Sequence, residues 1–362
     1  MPNDGDACTE ARRHALRALL ASADLSALLV TKPVNVRYLT GFTGSYGALL
    51  LLHDRTLFFT DGRYRHQAAA EVPGAEVVLA PGDLIGAVGV VVRAGGNDLG
   101  FEPGGLTWAE GNRLRTGLPG QVVLPAPPLV EELREVKDER ELAAMREAAR
   151  LGGEALEGLL PDLREGVTER QVAVDLEVAM RRLGADGLAF DTIVAFGEQA
   201  AEPHHRPGGR PLEAGDWIKL DFGARVDGYC ADMTRTAVLG RASQRQRDLY
   251  ELVRGAQAAG LDCLEAGVPT GEVDRACRQP ITEAGLGDSF PHPTGHGIGL
   301  EIHEAPRLRA GARDRIAAGT PVTVEPGVYL PGFGGVRIED LVVARPGGHE
   351  LLTTTAKELL EL

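Results

Sequence analysis

The chain has 362 residues, 43% of them hydrophobic and 25% charged, with a formal net charge of −14, which predicts two folded domains and excludes wholesale disorder. No cluster of Lys and Arg indicates a nucleic-acid or anionic-membrane partner, no apolar run is long enough to cross a membrane, and the N-terminus lacks the apolar core of a signal peptide. The four cysteines have no paired spacing, so we expect reduced thiols in a cytoplasmic protein.

The first part of the chain alternates strand-like runs with helical stretches. Helices are predicted over residues 10–22 and around Tyr64–Ala70. The predicted strands are Ala27–Thr31, Ala48–Leu52, Arg55–Asp61, Val77–Ala80, Val88–Val92 and Gln121–Leu124. This alternation predicts an α/β layer.

A proline-rich segment separates this part from the rest of the chain. The three prolines within residues 125–128 disfavour regular structure. The charged segment that follows has apolar residues at helical spacing. We therefore predict an N-terminal domain of residues 1–129 and a second domain of residues 130–362.

The second part combines helices with further strand-like runs. Helices are predicted over Thr168–Leu183, with Thr168 as the N-cap, and near residues 243–265 and 270–284. The predicted strands are Thr192–Phe196, Trp217–Phe222, Thr234–Leu239, Pro321–Val324, Val328–Leu330 and Leu341–Ala344. This combination predicts an α+β domain with a sizeable antiparallel sheet.

Two aspartates are predicted to approach each other across a hairpin. Asp221 lies within an apolar strand, and Asp232 follows the turn signal Val226-Asp227-Gly228. Folding the chain at this turn brings Asp232 within a residue or two of the position opposite Asp221. Two buried carboxylates at that separation repel each other, and a divalent cation removes the repulsion.

The C-terminal part contributes a second pair of carboxylates. Glu325 ends the apolar run Pro321–Val324, and Glu339 lies two residues after Arg337. The two-residue period of a strand places Arg337 and Glu339 on one face. An Arg–Glu pair on an edge strand is the ordinary interpretation, but the apolar flanks favour a central, buried strand.

Histidines lie between these two carboxylate pairs. His292, His296 and His303 fall within twelve residues, and the glycines that flank His296 allow close backbone approach. A further histidine, His204, lies in a loop-like segment that by itself indicates only a solvated loop. The cluster in the Gly-rich run is harder to explain as isolated surface or core histidines.

Together these side chains form a coherent ligand set for metal ions. Four carboxylates balance the charge of two divalent cations, and one neutral imidazole completes an oxygen-rich set. Such a set favours Mn²⁺ over a thiolate-type zinc site, with Co²⁺ and Zn²⁺ as alternatives, and two ions about 3.5–4 Å apart would share and activate a water. The predicted ligands are Asp221, Asp232, His296, Glu325 and Glu339.

Five strings that carry these residues resemble the pita-bread metallopeptidases. They are LDFGA, ADMTRT, HPTGHGIGLEIHE, VEPGVY and GVRIED, in this order over residues 135–362. That family contains methionine aminopeptidase, aminopeptidase P and prolidase, the Xaa-Pro dipeptidase. The resemblance implies a creatinase/aminopeptidase-like catalytic domain with a smaller, creatinase-N-like α/β domain before it.

Within the family, the chain resembles the Xaa-Pro branch. The pair Pro203-His204, the three-histidine spacing and Arg337 match that branch, and the complete ligand set argues against a creatinase. In the first domain, YLTGFTGS and TDGRY resemble aminopeptidase P and favour it over prolidase. The distant alternative is a non-catalytic peptide-binding module, although such modules usually lose metal ligands.

The resemblance also implies roles for individual residues. Glu325 would transfer the proton of the attacking water, while His204 and His303 would bind the substrate carbonyl. His292 would line the proline pocket, and Arg337 would orient Asp232 or Glu339. Separately from the resemblance, Arg63 is expected either to reach a longer peptide or a C-terminal carboxylate, or to be an ordinary arginine on the domain surface. The expected substrate is a proline-containing peptide, and the expected assembly is a homodimer.

Overall fold

The structure is a computed structural model that describes residues 4–80 and 82–362. The chain divides into two compact units, Met1–Arg134 and Glu135–Leu362. Within the described ranges, every helix is too short or too polar to span a bilayer. No disulfide links cysteines in this part of the chain.

The first unit is built on a six-stranded mixed sheet. Its elements are α1 (Asp4–Ser22), β1 (Ala27–Val30), α2 (Pro33–Thr40), β2 (Ala48–Leu52), β3 (Thr56–Thr60), α3 (Arg65–Glu71), β4 (Glu76–Leu79), α4 (Leu84–Gly95), β5 (Leu99–Phe101), α5 (Trp108–Gly117), β6 (Val123–Pro125) and α6 (Leu129–Glu135). The strand order is β4-β3-β2-β1-β5-β6, and β3–β4, β1–β5 and β5–β6 are parallel. This mixed architecture is the predicted α/β layer.

One predicted strand of this unit is wrong. Val88–Val92 lies inside α4, where Val88 and Val92 are buried one turn apart. A short apolar run fits a buried helix as well as a strand, and Asp83 starts the helix by accepting a hydrogen bond from the Gly86 N–H. The other predicted strands overlap β1–β4 and β6, whereas α2, α5 and β5 were not predicted.

The second unit contains four α-helices and most of the strands. Its elements are α7 (Glu139–Leu159), α8 (Glu169–Leu183), β7 (Gly187–Leu188), β8 (Ile193–Phe196), β9 (Trp217–Phe222), β10 (Ala224–Val226), β11 (Tyr229–Cys230), β12 (Met233–Val238), α9 (Gln244–Cys263), α10 (Thr270–Glu283), β13 (Gly295–Gly297), β14 (Glu304–Leu308), β15 (Pro321–Val324), β16 (Gly327–Leu330), β17 (Gly334–Arg337), β18 (Asp340–Arg345), β19 (Gly348–Leu351) and β20 (Leu360–Glu361).

Two larger sheets of this unit bring the candidate site together. Their strand orders are β20-β12-β9-β8 and β14-β13-β15-β18-β19, and antiparallel pairs dominate both. Two smaller sheets have the orders β11-β10-β7 and β16-β17. The predicted antiparallel sheet is confirmed, as are the predicted strands and α8, whose Thr168 hydroxyl accepts from the Gln171 N–H.

Apolar packing fixes the strands that reach the site. One cluster includes Met145 of α7, Leu176 of α8 and Phe222 of β9, and a second includes Val253 of α9 and Val322 of β15. Each such side chain contributes about 1.5–3 kcal/mol when it is fully buried. The strands are therefore held rigidly before any polar contact of the site is counted.

Candidate metal centre

The two aspartates are positioned by the hairpin that joins β9 to β12. Thr234 is the register partner of Asp221, so Asp232 lies two residues from that position, as the sequence predicts. The turn between β10 and β11 holds Asp227 and Gly228 at φ values of 47° and 77°, the positive values that a two-residue hairpin turn requires. One local feature thus brings both carboxylates together.

The two glutamates are positioned by the antiparallel pair β15–β18. Val324 is the register partner of Asp340, so Glu325 and Glu339 lie opposite each other immediately beyond the end of this pair. The Glu339 N–H donates to the Thr234 carbonyl at 3.2 Å. This bond connects the second carboxylate pair to the hairpin that carries the first.

Close strand packing around His296 requires glycine on both sides of it. A Cβ on Gly295 would lie 1.9 Å from the Thr323 carbonyl oxygen, and one on Gly297 would lie 2.0 Å from that of Ala305. Any larger residue would push the neighbouring strands away. The glycines that the sequence analysis singled out therefore set the depth of His296 in the site.

The tautomer of His296 leaves one ring nitrogen for a ligand. Its Nδ1 lies 3.0 Å from the Gly297 carbonyl oxygen, which can only accept, so Nδ1 carries the proton. Nε2 faces Asp232 Oδ2 at 3.6 Å and Glu325 Oε1 at 3.5 Å. Burial lowers the pKa of His296 to about 4, which keeps the imidazole neutral and its lone pair available.

The five predicted ligands line one cavity of about 460 Å³. Asp232, His296 and Glu339 each offer a ligand atom within 4.8 Å of the others. Asp232 Oδ1 and Glu339 Oε1 are buried, and neither has a hydrogen-bond partner among the residues that the structure describes. Buried carboxylate oxygens are costly unless they are paired or bound to metal.

The raised pKa values of the buried carboxylates are those expected of a site that binds divalent cations. Burial, followed by repulsion from neighbouring carboxylates, raises the pKa of Asp232 and of Glu339. Burial likewise raises the pKa of Glu325 to about 7. Orphaned carboxylate oxygens beside a neutral imidazole match the oxygen-rich ligation that Mn²⁺-like ions prefer.

Arg337 lies buried among the carboxylates and donates to one of them directly. Its Nη2 forms an ion pair with Asp221, and its Nε donates to Thr234 Oγ1 at 2.9 Å. The Thr234 hydroxyl in turn donates to Glu339 Oε2 at 2.7 Å. The guanidinium therefore orients Asp221 directly and Glu339 through one hydroxyl, whereas the sequence-based expectation named Asp232 or Glu339.

A tyrosine that the sequence analysis did not single out joins Arg337 to His292. The Tyr329 hydroxyl accepts from Arg337 Nη1 at 2.9 Å and lies 2.9 Å from His292 Nε2. His292 Nδ1 lies 2.8 Å from the Pro293 carbonyl oxygen, so Nδ1 carries the proton and Nε2 accepts from Tyr329. Burial lowers the pKa of His292 to about 3. The sequence feature that could have identified Tyr329 is its position at the end of the string VEPGVY.

The two other predicted histidines present exposed side chains to the same cavity. His204 and His303 both line it. The ring centroid of His303 lies 4.4 Å from that of His296, and partial burial lowers the pKa of His303. Both imidazoles are available to a molecule bound beside the carboxylate cluster.

Comparison with known proteins shows the family of the chain. Residues 143–346 match the profile of metallopeptidase family M24, and residues 12–136 match the creatinase/prolidase N-terminal domain. The chain belongs to metallopeptidase family M24. The predicted pita-bread fold with a creatinase-type N-terminal domain is thereby confirmed, and the M24 chain is a metallopeptidase.

Three solved structures are similar to the M24 chain over nearly its whole length. The Xaa-Pro dipeptidase from Bacillus anthracis is 39% identical, with a TM-score of 0.95 over 98% of this chain and 100% of its own. The X-Pro aminopeptidase from Thermotoga maritima MSB8 is 34% identical, with a TM-score of 0.88 over 94% and 98%. The prolidase from Pyrococcus horikoshii OT3 is 30% identical, with a TM-score of 0.90 over 96% and 99%.

Arg307 is a cavity residue of the M24 chain that the sequence analysis missed. It is the register partner of His296 on β14 and lines the cavity. Cross-strand partners project from the same face of a sheet, so a guanidinium stands beside the candidate metal ligand. Its charge adds to burial in lowering the pKa of His303. One arginine among several in residues 307–315 gives no sequence signal of this position.

Arg63, which was predicted to bind substrate, belongs to the first unit. Its Nη2 pairs with Asp61 Oδ2 at 2.8 Å, and its guanidinium carbon lies 5.4 Å from the ring centroid of Tyr46. Asp61 also accepts from the Arg63 N–H. These contacts all lie within the first unit, and the role of Arg63 in substrate binding stays a prediction.

Proposed function

We propose that the chain is a metal-dependent Xaa-Pro dipeptidase, which hydrolyses the bond between an N-terminal residue and a C-terminal proline. The observation that carries this proposal is the similarity to the Bacillus anthracis Xaa-Pro dipeptidase, which exceeds that to the Thermotoga maritima X-Pro aminopeptidase in both identity and TM-score. The strings of the first domain favoured aminopeptidase P, and the whole-chain similarity now favours the alternative. Aminopeptidase P activity is the second candidate.

The position of Arg307 supports a dipeptide substrate. In a dipeptide, the free carboxylate lies within one residue of the bond to be cleaved, so a cation must stand close to the metal ligands to bind it. Arg307 does so as the cross-strand neighbour of His296. A guanidinium binds a carboxylate through paired, charge-assisted hydrogen bonds, whereas a longer peptide has no charge at that point.

Two divalent ions would be held by Asp221, Asp232, His296, Glu325 and Glu339. We propose Mn²⁺ because the donor set is oxygen-rich, with Co²⁺ and Zn²⁺ as alternatives. When bound, such ions supply Lewis-acid activation of water and of the scissile carbonyl.

The side chains around the ligands supply the remaining chemistry. Glu325 would accept the proton of the attacking water and return it to the proline nitrogen, which carries no N–H of its own before cleavage. His204 and His303 would donate hydrogen bonds to the scissile carbonyl oxygen as charge develops on it. His292, whose ring packs against Phe290 and Tyr329, would line the proline pocket.

We further propose that the domain of residues 130–362, which follows the N-terminal domain of residues 1–129, carries the catalysis. The homodimer and the cytoplasmic location stay predictions. A pure peptide-binding module is the remaining alternative. Metal analysis of the purified protein distinguishes the two, because a protein that binds no metal would argue against the peptidase.

The deciding experiment compares substrates in the presence of Mn²⁺. An Xaa-Pro dipeptide, its C-terminal amide, an Xaa-Pro-Xaa tripeptide and an Xaa-Ala control are assayed side by side. A dipeptidase cleaves the free dipeptide fastest and the Xaa-Ala control slowly. Faster cleavage of the tripeptide would favour aminopeptidase P, and no cleavage by metal-loaded protein would overturn both assignments.

A variant separates carboxylate recognition from catalysis. Arg307→Gln should lower kcat/KM for the free dipeptide by about 10- to 100-fold, as expected for the loss of a hydrogen bond to a charged group. The same variant should leave cleavage of the dipeptide amide nearly unchanged. Arg309→Gln, two positions further along the chain and exposed, is the matched control. Equal losses on the acid and the amide would contradict the role of Arg307.

A further inference from the structure

A buried lysine next to the metal ligands makes contacts that the proposed mechanism does not use. Lys219 lies on β9, two residues before Asp221, and its side chain is 0% exposed. Burying an amine is costly unless its N–H groups find acceptors. The groups that accept hydrogen bonds from Lys219 therefore identify the segment that this side chain holds in place.

The Nζ of Lys219 binds the backbone of the loop of residues 199–208, which begins at the end of the 3-10 helix Gly197–Ala201 and carries His204. It donates to the Ala200 carbonyl at 3.0 Å and to the Glu202 carbonyl at 2.5 Å, and it lies 5.2 Å from the ring centroid of Tyr329. Two N–H donors suffice for these two bonds, so the arrangement does not depend on the protonation state of the amine. The bound carbonyls belong to residues four and two positions before His204.

The same loop is anchored further along by other buried groups. The Pro203 carbonyl accepts from Arg337 Nη1 at 3.2 Å. His205 Nε2 lies 2.9 Å from Glu169 Oε2, and this carboxylate also accepts from the Gly208 N–H at 2.9 Å. Anchors thus lie on both sides of His204, which projects between them into the cavity.

We propose that Lys219 is a positioning residue that fixes the loop from which His204 reaches the substrate. The inference rests on the proposed function, in which His204 contacts the scissile carbonyl. Lys219 is more informative than Arg337, because Arg337 also holds Asp221 and Tyr329, whereas the two hydrogen bonds of Lys219 both end on the loop. A displacement of about 1 Å at a catalytic group lowers the rate by as much as 10²-fold.

A double-mutant cycle tests whether Lys219 acts through His204. Lys219→Met removes the donors and keeps most of the apolar stem, and we expect it to lower kcat/KM for an Xaa-Pro dipeptide by about 10- to 100-fold. In a His204→Ala background the same substitution should change kcat/KM less than twofold, because the group that it positions is absent. Losses that multiply in the double variant would overturn the proposal. If Lys219→Met does not fold, Lys219→Gln, which keeps one amide donor, enters the same cycle.

Hydrogen exchange gives a readout that does not depend on activity. In Lys219→Met, the amides of residues 199–208 should exchange at least tenfold faster, with the metal content unchanged. Lys357→Met is the matched control, because Lys357 binds Gln257 and Asp340 instead of this loop; it should leave exchange in 199–208 unchanged. Unchanged exchange in Lys219→Met would overturn the proposal. If the wild-type protein cleaves no Xaa-Pro substrate, the proposed function fails, and the exchange experiment still decides the role of Lys219.

Discussion

The affinity of the site for metal should fall steeply as the pH is lowered. Metal ligands must be deprotonated to bind, and burial raises the pKa of Glu325 to about 7 in the metal-free protein. The deprotonated fraction of Glu325 falls from about 0.8 at pH 7.5 to about 0.03 at pH 5.5, so this residue alone should weaken the apparent Kd for Mn²⁺ about 25-fold. Asp232 and Glu339, whose pKa values burial also raises, act in the same direction.

The free energy of unfolding should depend on pH differently in the metal-loaded and in the metal-free protein. The raised pKa of Glu325 by itself makes the metal-free fold less stable as the pH rises from about 4.5 to 7, because the folded state binds its proton more tightly. Buried His296, whose pKa is lowered to about 4, acts in the opposite direction over about pH 4–6.5. The difference in stability between the Mn²⁺-loaded and the metal-free protein removes these contributions of the metal-free fold. This difference depends on deprotonation of the proposed ligands and should grow as the pH rises.

Thermal unfolding and calorimetry measure this stabilisation. At a fixed Mn²⁺ concentration well above Kd at both pH values, the 25-fold change in Kd corresponds to about 2 kcal/mol and to a change of about 2.5–4 °C in the metal-dependent increment of Tm. Calorimetry at pH 6.5 in buffers of different ionisation enthalpy should show about one proton or more released on binding. Glu325→Gln should flatten the dependence, whereas exposed Glu165→Gln should not. An affinity independent of pH between 5.5 and 7.5 would refute the reasoning.

Three substitutions test the network around the carboxylates. Asp232→Asn should raise the metal-free Tm at pH 8, because it removes a buried and repelled carboxylate, and should abolish the Tm increment from Mn²⁺; scanning fluorimetry with and without chelator measures both. Thr234→Val removes the hydroxyl between Arg337 and Glu339 and should lower the free energy of unfolding, measured by urea titration, by about 1–3 kcal/mol. A loss below about 0.5 kcal/mol would contradict the role of this hydroxyl as a bridge between the two side chains. Tyr329→Phe should lower kcat/KM about tenfold with an unchanged metal content, and a loss of metal would instead assign Tyr329 a ligand-supporting role.

The part of the site that local sequence encodes could be predicted. A turn signal with Asp227 and Gly228 fixes the hairpin, and the hairpin fixes the separation of Asp221 from Asp232. The glycines beside His296 predict a close backbone approach, although the atoms that they approach belong to Thr323 and Ala305 on other strands. The turn and the glycines can each be recognised in a short run of residues.

Other contacts of the site could not be predicted, because no turn signal in the sequence fixes the register that creates them. Arg307 lies only 11 residues after His296, but the β13–β14 register shifts between His296 and Gly297, so counting along the chain does not pair the two residues. Arg337 pairs with Asp221, 116 residues away. The wrong strand at Val88–Val92 has a different cause: a five-residue apolar run carries no period long enough to separate helix from strand.

The buried charges of this site make more sense as preparation for metal than as stabilisation of the fold. Arg337 supplies one positive charge to several carboxylates, which leaves Asp232 Oδ1 and Glu339 Oε1 without partners in the described structure. Because the apolar clusters hold the strands rigidly, the cluster cannot relax by moving the carboxylates apart. The unfavourable charge is therefore available as binding free energy for a cation, and the same rigidity that makes the metal-free site costly would keep the proposed ligands in place.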